Sequence, residues 1–395
     1  MRIADISEPG RPKAALLGQG FRPFFLAAGL WGAAALAIWI HLLASGTTLP
    51  SRFDPMAWHI HEMLFGFVMA AVAGFLLTAI PNWTRRLPVS GAPLAGLAGL
   101  WLLGRLACLV SSFLPAIVAI AADLAFPVIL IAVAAREIIA GRNWRNLVMT
   151  APVTVLGIAN LLMHLEAAGI DVPAGIGWRL GLAAILVLVS AVAGRIVPSF
   201  TRNWLVKRQA KHLPAPHGLV DRLALGSLHL SMLSWALLPE AKIIGAALLI
   251  ATALNAWRMA RWYGIATLAE PLLTILHLGY LWLTIGTALL GCSVLDWGVP
   301  LPAAIHALTV GAIGTMILAV MTRATRGHSG YDLVADRQTV AIYALVNAAA
   351  VTRIAAAWAG GAVMPLLVGS AALWIAGFLL FSWHYGRILL GASGR

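Results

Sequence analysis

Stretches of about twenty predominantly apolar residues, the length that crosses a bilayer as a helix, recur twelve times along the chain. They lie at 24-45, 58-80, 93-112, 115-137, 146-168, 177-200, 221-239, 241-263, 270-291, 302-324, 338-358 and 363-386. Hydrocarbon offers no partner for a free backbone N–H or C=O, so segments of this kind fold as helices. Of the 395 residues, 61% are hydrophobic and only 10% charged, against about a quarter charged in soluble domains. That balance excludes a soluble enzyme, a nucleic-acid-binding protein and a disordered chain. The first run is too long for a signal peptide and lacks a small-residue cleavage site. The expected fold is all-α: a polytopic membrane protein of twelve transmembrane helices.

The cations give the direction of each span. With these twelve spans, 22 of the 27 Lys and Arg residues fall in connections or the adjoining span ends on one side, and Arg52, Arg179 and Lys242 on the other. Arg105 and Arg353 fall inside spans. The asymmetry places both termini in the cytoplasm and accounts for the net charge of +13 without an anionic ligand. The chain reads as a single transmembrane domain, 1-395, with six-helix halves at about 24-200 and 221-386 joined by a basic linker, 201-220. No internal sequence repeat is evident.

Ionisable side chains in a bilayer are costly and mark function by default. His59 and His61 open the second span, His164 closes the fifth, and His306 lies one turn into the tenth, all toward the outer side. His229 lies midway along the seventh span, and His277 lies slightly cytoplasmic of the middle of the ninth. Neutral imidazole is a common ligand of iron and copper, and helix bundles build cofactor sites from facing side chains. The candidate cofactor ligands are therefore His61, His164, His229, His277 and His306, with His59 as an outer alternative. For a bare metal the set is His59, His61, His229, His277 and His306. A buried histidine can equally be an interhelical hydrogen-bond partner, and both readings stay open for each one singly. His41 and His384 sit where interfacial rings are common.

His59 and His61 differ by about 200° on a regular helix, so one metal cannot take both. Glu62, which follows directly, is a supporting acceptor or a partner for an arginine, and Tyr280 is a supporting group beside His277. Arg105 and Asp123, on consecutive spans at similar depth, read as an ion pair. Arg105 and Arg353 are the alternative partners for the two negative charges of haem propionates. On the cytoplasmic side, Thr322 to Gly330 sets His328 between glycines after two arginines. It reads as a positive-inside loop or as a binder of phosphate, a lipid headgroup or a metal. Cys108 and Cys292 form no CxxC motif, so neither a zinc ribbon nor covalent haem attachment is expected.

Several segments together resemble the NnrS family. They are Gly20-Phe21-Arg22-Pro23-Phe24-Phe25, Trp58-His59-Ile60-His61-Glu62-Met63-Leu64-Phe65-Gly66, Pro81-Asn82-Trp83-Thr84 and Leu276-His277-Leu278-Gly279-Tyr280. The stretch from His306 to Gly330 belongs with them. The resemblance covers nearly the whole chain. It implies a bacterial inner-membrane protein containing haem and copper, linked to denitrification and protection against nitric oxide. The expected cofactors are one or two b-type haems, with copper as a second metal. The expected partners are nitric oxide or another small gas, the lipid bilayer and an electron donor, with no nucleic acid.

Three functions remain open at this point. The first is a haem protein that binds nitric oxide or transfers electrons; as an enzyme it would be an oxidoreductase similar to nitric-oxide reductase. The second is a twelve-helix transporter of a metal or metal complex. The third is a membrane sensor or assembly factor. Twelve spans with outward-set histidines are similar to subunit I of the haem-copper oxidases, but span ten has no HxH and span six has no histidine.

Overall fold

The computed structural model describes residues 15–391. Among them there is no β-strand. Twelve long helices carry the fold. We number them α1 (Phe21–Ser45), α2 (Pro55–Thr84), α3 (Ala92–Leu109), α4 (Ala116–Ala140), α5 (Thr150–Ala167) and α6 (Ile176–Lys207). The second set is α7 (Leu219–Leu237), α8 (Lys242–Ala260), α9 (Pro271–Val294), α10 (Leu301–His328), α11 (Arg337–Ala355) and α12 (Val363–Leu390).

Eleven of these, all but α7, are long and apolar enough to cross a membrane, so the chain is a multi-pass membrane protein. Helix α7 matches the run at 221-239 in length, but Asp221, Arg222, His229 and three serines dilute its apolar character. Arg2, Arg11, Lys13 and Arg395, which entered the charge asymmetry, lie outside the described residues, as do the termini themselves. The stretch read as a linker is helical at its start, because α6 continues through Thr201 to Lys207.

Local chemistry sets where the helices begin. Asp54 accepts hydrogen bonds from the amides of Met56 and Ala57 at 2.9 and 3.0 Å, with Pro55 in the first turn. This satisfies donors that have no partner inside the helix and starts α2 four residues before His59. Asp336 caps α11 in the same way through the amide of Thr339, 2.9 Å away.

Small residues let the helices approach closely. A Cβ on Gly177 of α6 would lie 2.8 Å from the Met163 amide nitrogen of α5, and one on Gly245 of α8 would lie 3.1 Å from the Gly291 carbonyl of α9. The first and last helices also pack together. Trp374 Nε1 of α12 donates to the Gly32 carbonyl of α1 at 2.8 Å, and Arg22 donates to the Ile388 carbonyl at 2.7 Å.

Two helices are irregular. Helix α2 widens to π-helical turns over Glu62–Val68, and α10 does so over Ala307–Gly314. Each widened stretch begins directly after a histidine, His61 or His306. Such turns cost regular hydrogen bonding and concentrate at functional sites.

Candidate cofactor site and its buried polar neighbour

The two widened helices meet at a cavity. It has a volume of about 410 Å³ and is walled by α1, α2, α6, α10, α11 and α12. That is within the range of about 300–1,000 Å³ typical of small-molecule sites. His59 of α2, His306 of α10 and Arg353 of α11 all face it. Apart from Thr309 and Ser370, the remaining wall is apolar or aromatic, including Trp39, Phe67, Trp178 and Trp374.

Both imidazoles in the cavity are oriented from behind. The His59 ring stacks on Trp39 with centroids 4.9 Å apart and planes 12° apart. His306 Nδ1 lies 2.7 Å from the Pro302 carbonyl, one turn back. As a donor to that carbonyl, Nδ1 fixes the tautomer and leaves Nε2 as the free acceptor. His59 Nδ1 is buried without a hydrogen-bond partner, a state that costs about 1–3 kcal/mol unless something else meets it. Arg353 has no carboxylate within ion-pair distance among the described residues.

His61 turns away from this cavity, as its angular offset from His59 requires, into a second, closed cluster. There Glu62 accepts from Arg105 Nη1 at 2.7 Å and from Trp31 Nε1 at 2.8 Å on one oxygen, and His61 Nδ1 is 3.1 Å from its other oxygen. Arg105 also pairs with Asp123. Asp123 Oδ2 accepts from Asn160 Nδ2 at 2.9 Å and is 3.0 Å from His164 Nε2. His61 Nε2 is 2.8 Å from Asn160 Oδ1 and 3.2 Å from Asp123 Oδ2. All of these groups except Trp31 are buried.

Two carboxylates here face one guanidinium, so a further proton or cation completes the charge balance. Both ring nitrogens of His61 face acceptors, and a doubly protonated ring would satisfy every contact. The expected Arg105–Asp123 pair is present, and it leaves Arg105 no free face toward the cavity. The donor atoms of His61, Cys108, Asp123 and His164 lie within 4.8 Å of one another. That set of imidazole, thiol and carboxylate suits a transition metal, which would have to replace the N–H protons now shared with Asp123 and Asn160.

The structure does not bring His229 or His277 to either place. His229 Nε2 is 2.8 Å from the Ser190 hydroxyl, and His277 Nε2 is 2.8 Å from the Thr201 hydroxyl, both on α6. Tyr280 makes no hydrogen bond to His277; it donates to Asn255 Oδ1 at 2.6 Å and accepts from Arg258 Nη1 at 2.8 Å. His384 is 2.9 Å from Asp336.

Sequence reasoning missed Asn160, Trp31 and Trp39. Asn160 stands one helical turn before His164, so its spacing was a usable signal; Trp39 and Trp31 carried none. No curated protein matches the chain. The profile of the NnrS protein family matches residues 15–393, nearly all of it. With the His59–His306 cavity and the His61 cluster both inside the matched region, the chain belongs to the NnrS family.

Proposed function

We propose that this is an integral-membrane haem protein of nitric-oxide metabolism or nitrosative-stress protection, its haem held in the cavity between α2 and α10. The observation that carries the reading is the meeting of two imidazoles and an unpaired guanidinium in one largely apolar cavity. The unpartnered His59 Nδ1 and the free Nε2 of His306 are the polar atoms a macrocyclic iron would satisfy. Bound there, a b-type haem would supply reversible electron transfer, and affinity for a small neutral gas once one of the two imidazoles releases the iron.

The chain's own residues would do the rest. His59 and His306 would hold the iron from two helices. Arg353 would face the propionates, which its planar donors suit. Trp39, Phe67, Trp178 and Trp374 would exclude water and wall the ring. A neutral lipid-soluble gas reaches such a cavity without a charged channel. An electron donor would have to dock separately.

The second metal reading is supported by the four donor atoms at His61, Cys108, Asp123 and His164, which we assign to copper if copper is bound. The basic residues concentrated at one end of the bundle support an orientation with both termini in the cytoplasm of a bacterial inner membrane.

The visible spectrum of the detergent-purified protein, with iron and copper analysis, tests the proposal. A Soret band at one or two haems per chain is expected. His59→Ala and His306→Ala should each remove haem, and His384→Ala should not. A colourless, iron-free wild type would overturn the reading and favour a transporter.

A further inference from the structure

A second large cavity, about 510 Å³, opens at the opposite end of the bundle between α1, α2, α6, α9 and α10. Arg195 of α6 and Arg323 and His328 of α10 line it, with the amide of Asn82. No acidic side chain is among its lining residues. The rest of the wall is apolar and aromatic, with Phe25, Phe75, Trp83 and Phe200.

Its arginines differ from the paired ones of the bundle. Arg105 pairs with Glu62 and Asp123, Arg258 with Asp221, and Arg326, one turn beyond Arg323, with Asp336 at 3.1 Å. Among the described residues Arg323 has no carboxylate within ion-pair distance, Glu270 acting on it only from farther off, and its guanidinium lies over the Phe200 ring at 4.3 Å. The only side-chain hydrogen bond Arg195 makes among the described residues is to Met149 Sδ, at 4.0 Å. Two guanidinium groups therefore face a roomy chamber with nothing anionic in it. Below them it narrows to an apolar neck of about 70 Å³, whose wall shares Phe25, Phe75 and Val320 with the chamber.

We propose that this chamber binds an amphiphilic anion, a phosphate or carboxylate head on an apolar body. The head would lie between Arg195 and Arg323 and the body against Phe25, Phe75 and Trp83. Unpaired cations at the rim of a low-dielectric cavity recognise charge, and charge-assisted hydrogen bonds from planar donors suit oxyanions. The aromatic wall adds an apolar contribution that a free inorganic anion cannot use. The proposal does not depend on haem.

Calorimetric titration of the full-length protein, in neutral detergent, tests it with three probes. These are submicellar dihexanoyl phosphatidic acid, the zwitterionic dihexanoyl phosphatidylcholine, and inorganic phosphate. One phosphatidic acid per chain is expected, bound at least about tenfold more tightly than the other two. R195Q and R323Q should each weaken it about 10- to 100-fold, the span of one lost charge-assisted contact, whereas R202Q, outside the chamber, should not. Equal binding of all three probes, or wild-type affinity in both variants, would overturn the proposal. If a variant fails to fold, ionic strength decides. Raising salt from about 50 to about 500 mM should weaken wild-type binding, and an unchanged affinity would overturn the proposal too.

Discussion

The imidazole of His59 lies flat on the indole of Trp39, with 4.9 Å between ring centroids. Orientation of this ring toward the cavity therefore depends on an aromatic neighbour one helix away rather than on a hydrogen bond. Stacked aromatic pairs contribute about 0.5–1.5 kcal/mol beyond burial. Trp39→Leu should thus lower haem retention about 2- to 10-fold while leaving the fold intact. Haem transfer to an apo-acceptor, followed at the Soret maximum, measures this; an unchanged transfer rate would separate Trp39 from the site.

Arg105 is the guanidinium that bridges the buried carboxylates of Glu62 and Asp123. Removing one partner of a buried pair costs about 3–5 kcal/mol, because a charge is left uncompensated. Arg105→Leu should show a loss of that size in reversible unfolding in mixed micelles. Adding Asp123→Asn to Arg105→Leu should recover part of it, since contacting residues couple. If the double variant is as unstable as the sum of the single ones, the charge-balance account fails.

Gly66 lies at the back of the same cluster. A Cβ there would lie 2.6 Å from Trp31 Nε1, 2.9 Å from Arg105 Nη1 and 2.9 Å from Glu62 Oε2, whereas one on Gly96 would meet nothing. Gly66→Ala should destabilise the protein by about 1–3 kcal/mol, the usual cost of overpacking, and Gly96→Ala should not. Thermal melting of the two variants side by side decides this.

Asp336, outside the membrane-spanning segments, gives a pH signature. Burial alone would raise its carboxyl, but hydrogen bonds from the Thr339 hydroxyl and amide and from His384 outweigh burial and bring it down to about 2. A depressed carboxylate stabilises the fold above its unfolded value near 4 and loses that contribution as pH falls through its folded value. Wild type should therefore lose stability between about pH 4 and pH 2 relative to Asp336→Ala. At neutral pH the variant should be less stable by about 1–2 kcal/mol, as for a lost helix cap. Melting curves that stay parallel from pH 6 to pH 2 would contradict this.

Most of the architecture was legible because lipid enforces it: apolar length specifies each helix, and eleven of the twelve expected runs qualify as candidate spans. The Arg105–Asp123 pair was legible for a similar reason, since two opposite charges at one depth have few other solutions. The division of the histidines between two places was only half legible. Spacing said that His59 and His61 face apart, but not which neighbours each would meet. His229 and His277 looked like ligands at mid-depth, yet α6 supplies each with a hydroxyl from Ser190 or Thr201. A serine or threonine in a hydrophobic run carries no sign of the helix it will face.

The widened turns after His61 and His306 have a consequence for how this chain tolerates insertion and deletion. A turn closed five residues back holds one residue more than the same turn of an ordinary helix. Deleting one residue within 62–68 or 307–314 would let the stretch relax to regular geometry and leave the span long enough for the bilayer. Because the residue removed is the extra one, the flanking turns would keep their facing, whereas the same deletion in a regular turn would rotate everything on the histidine side by about 100° relative to the rest. Only a deletion in a regular turn would point His59 or His306 at a neighbouring helix instead of the cavity. In relatives, single-residue gaps within these two stretches would thus leave both the membrane topology and the facing of the two histidines in place.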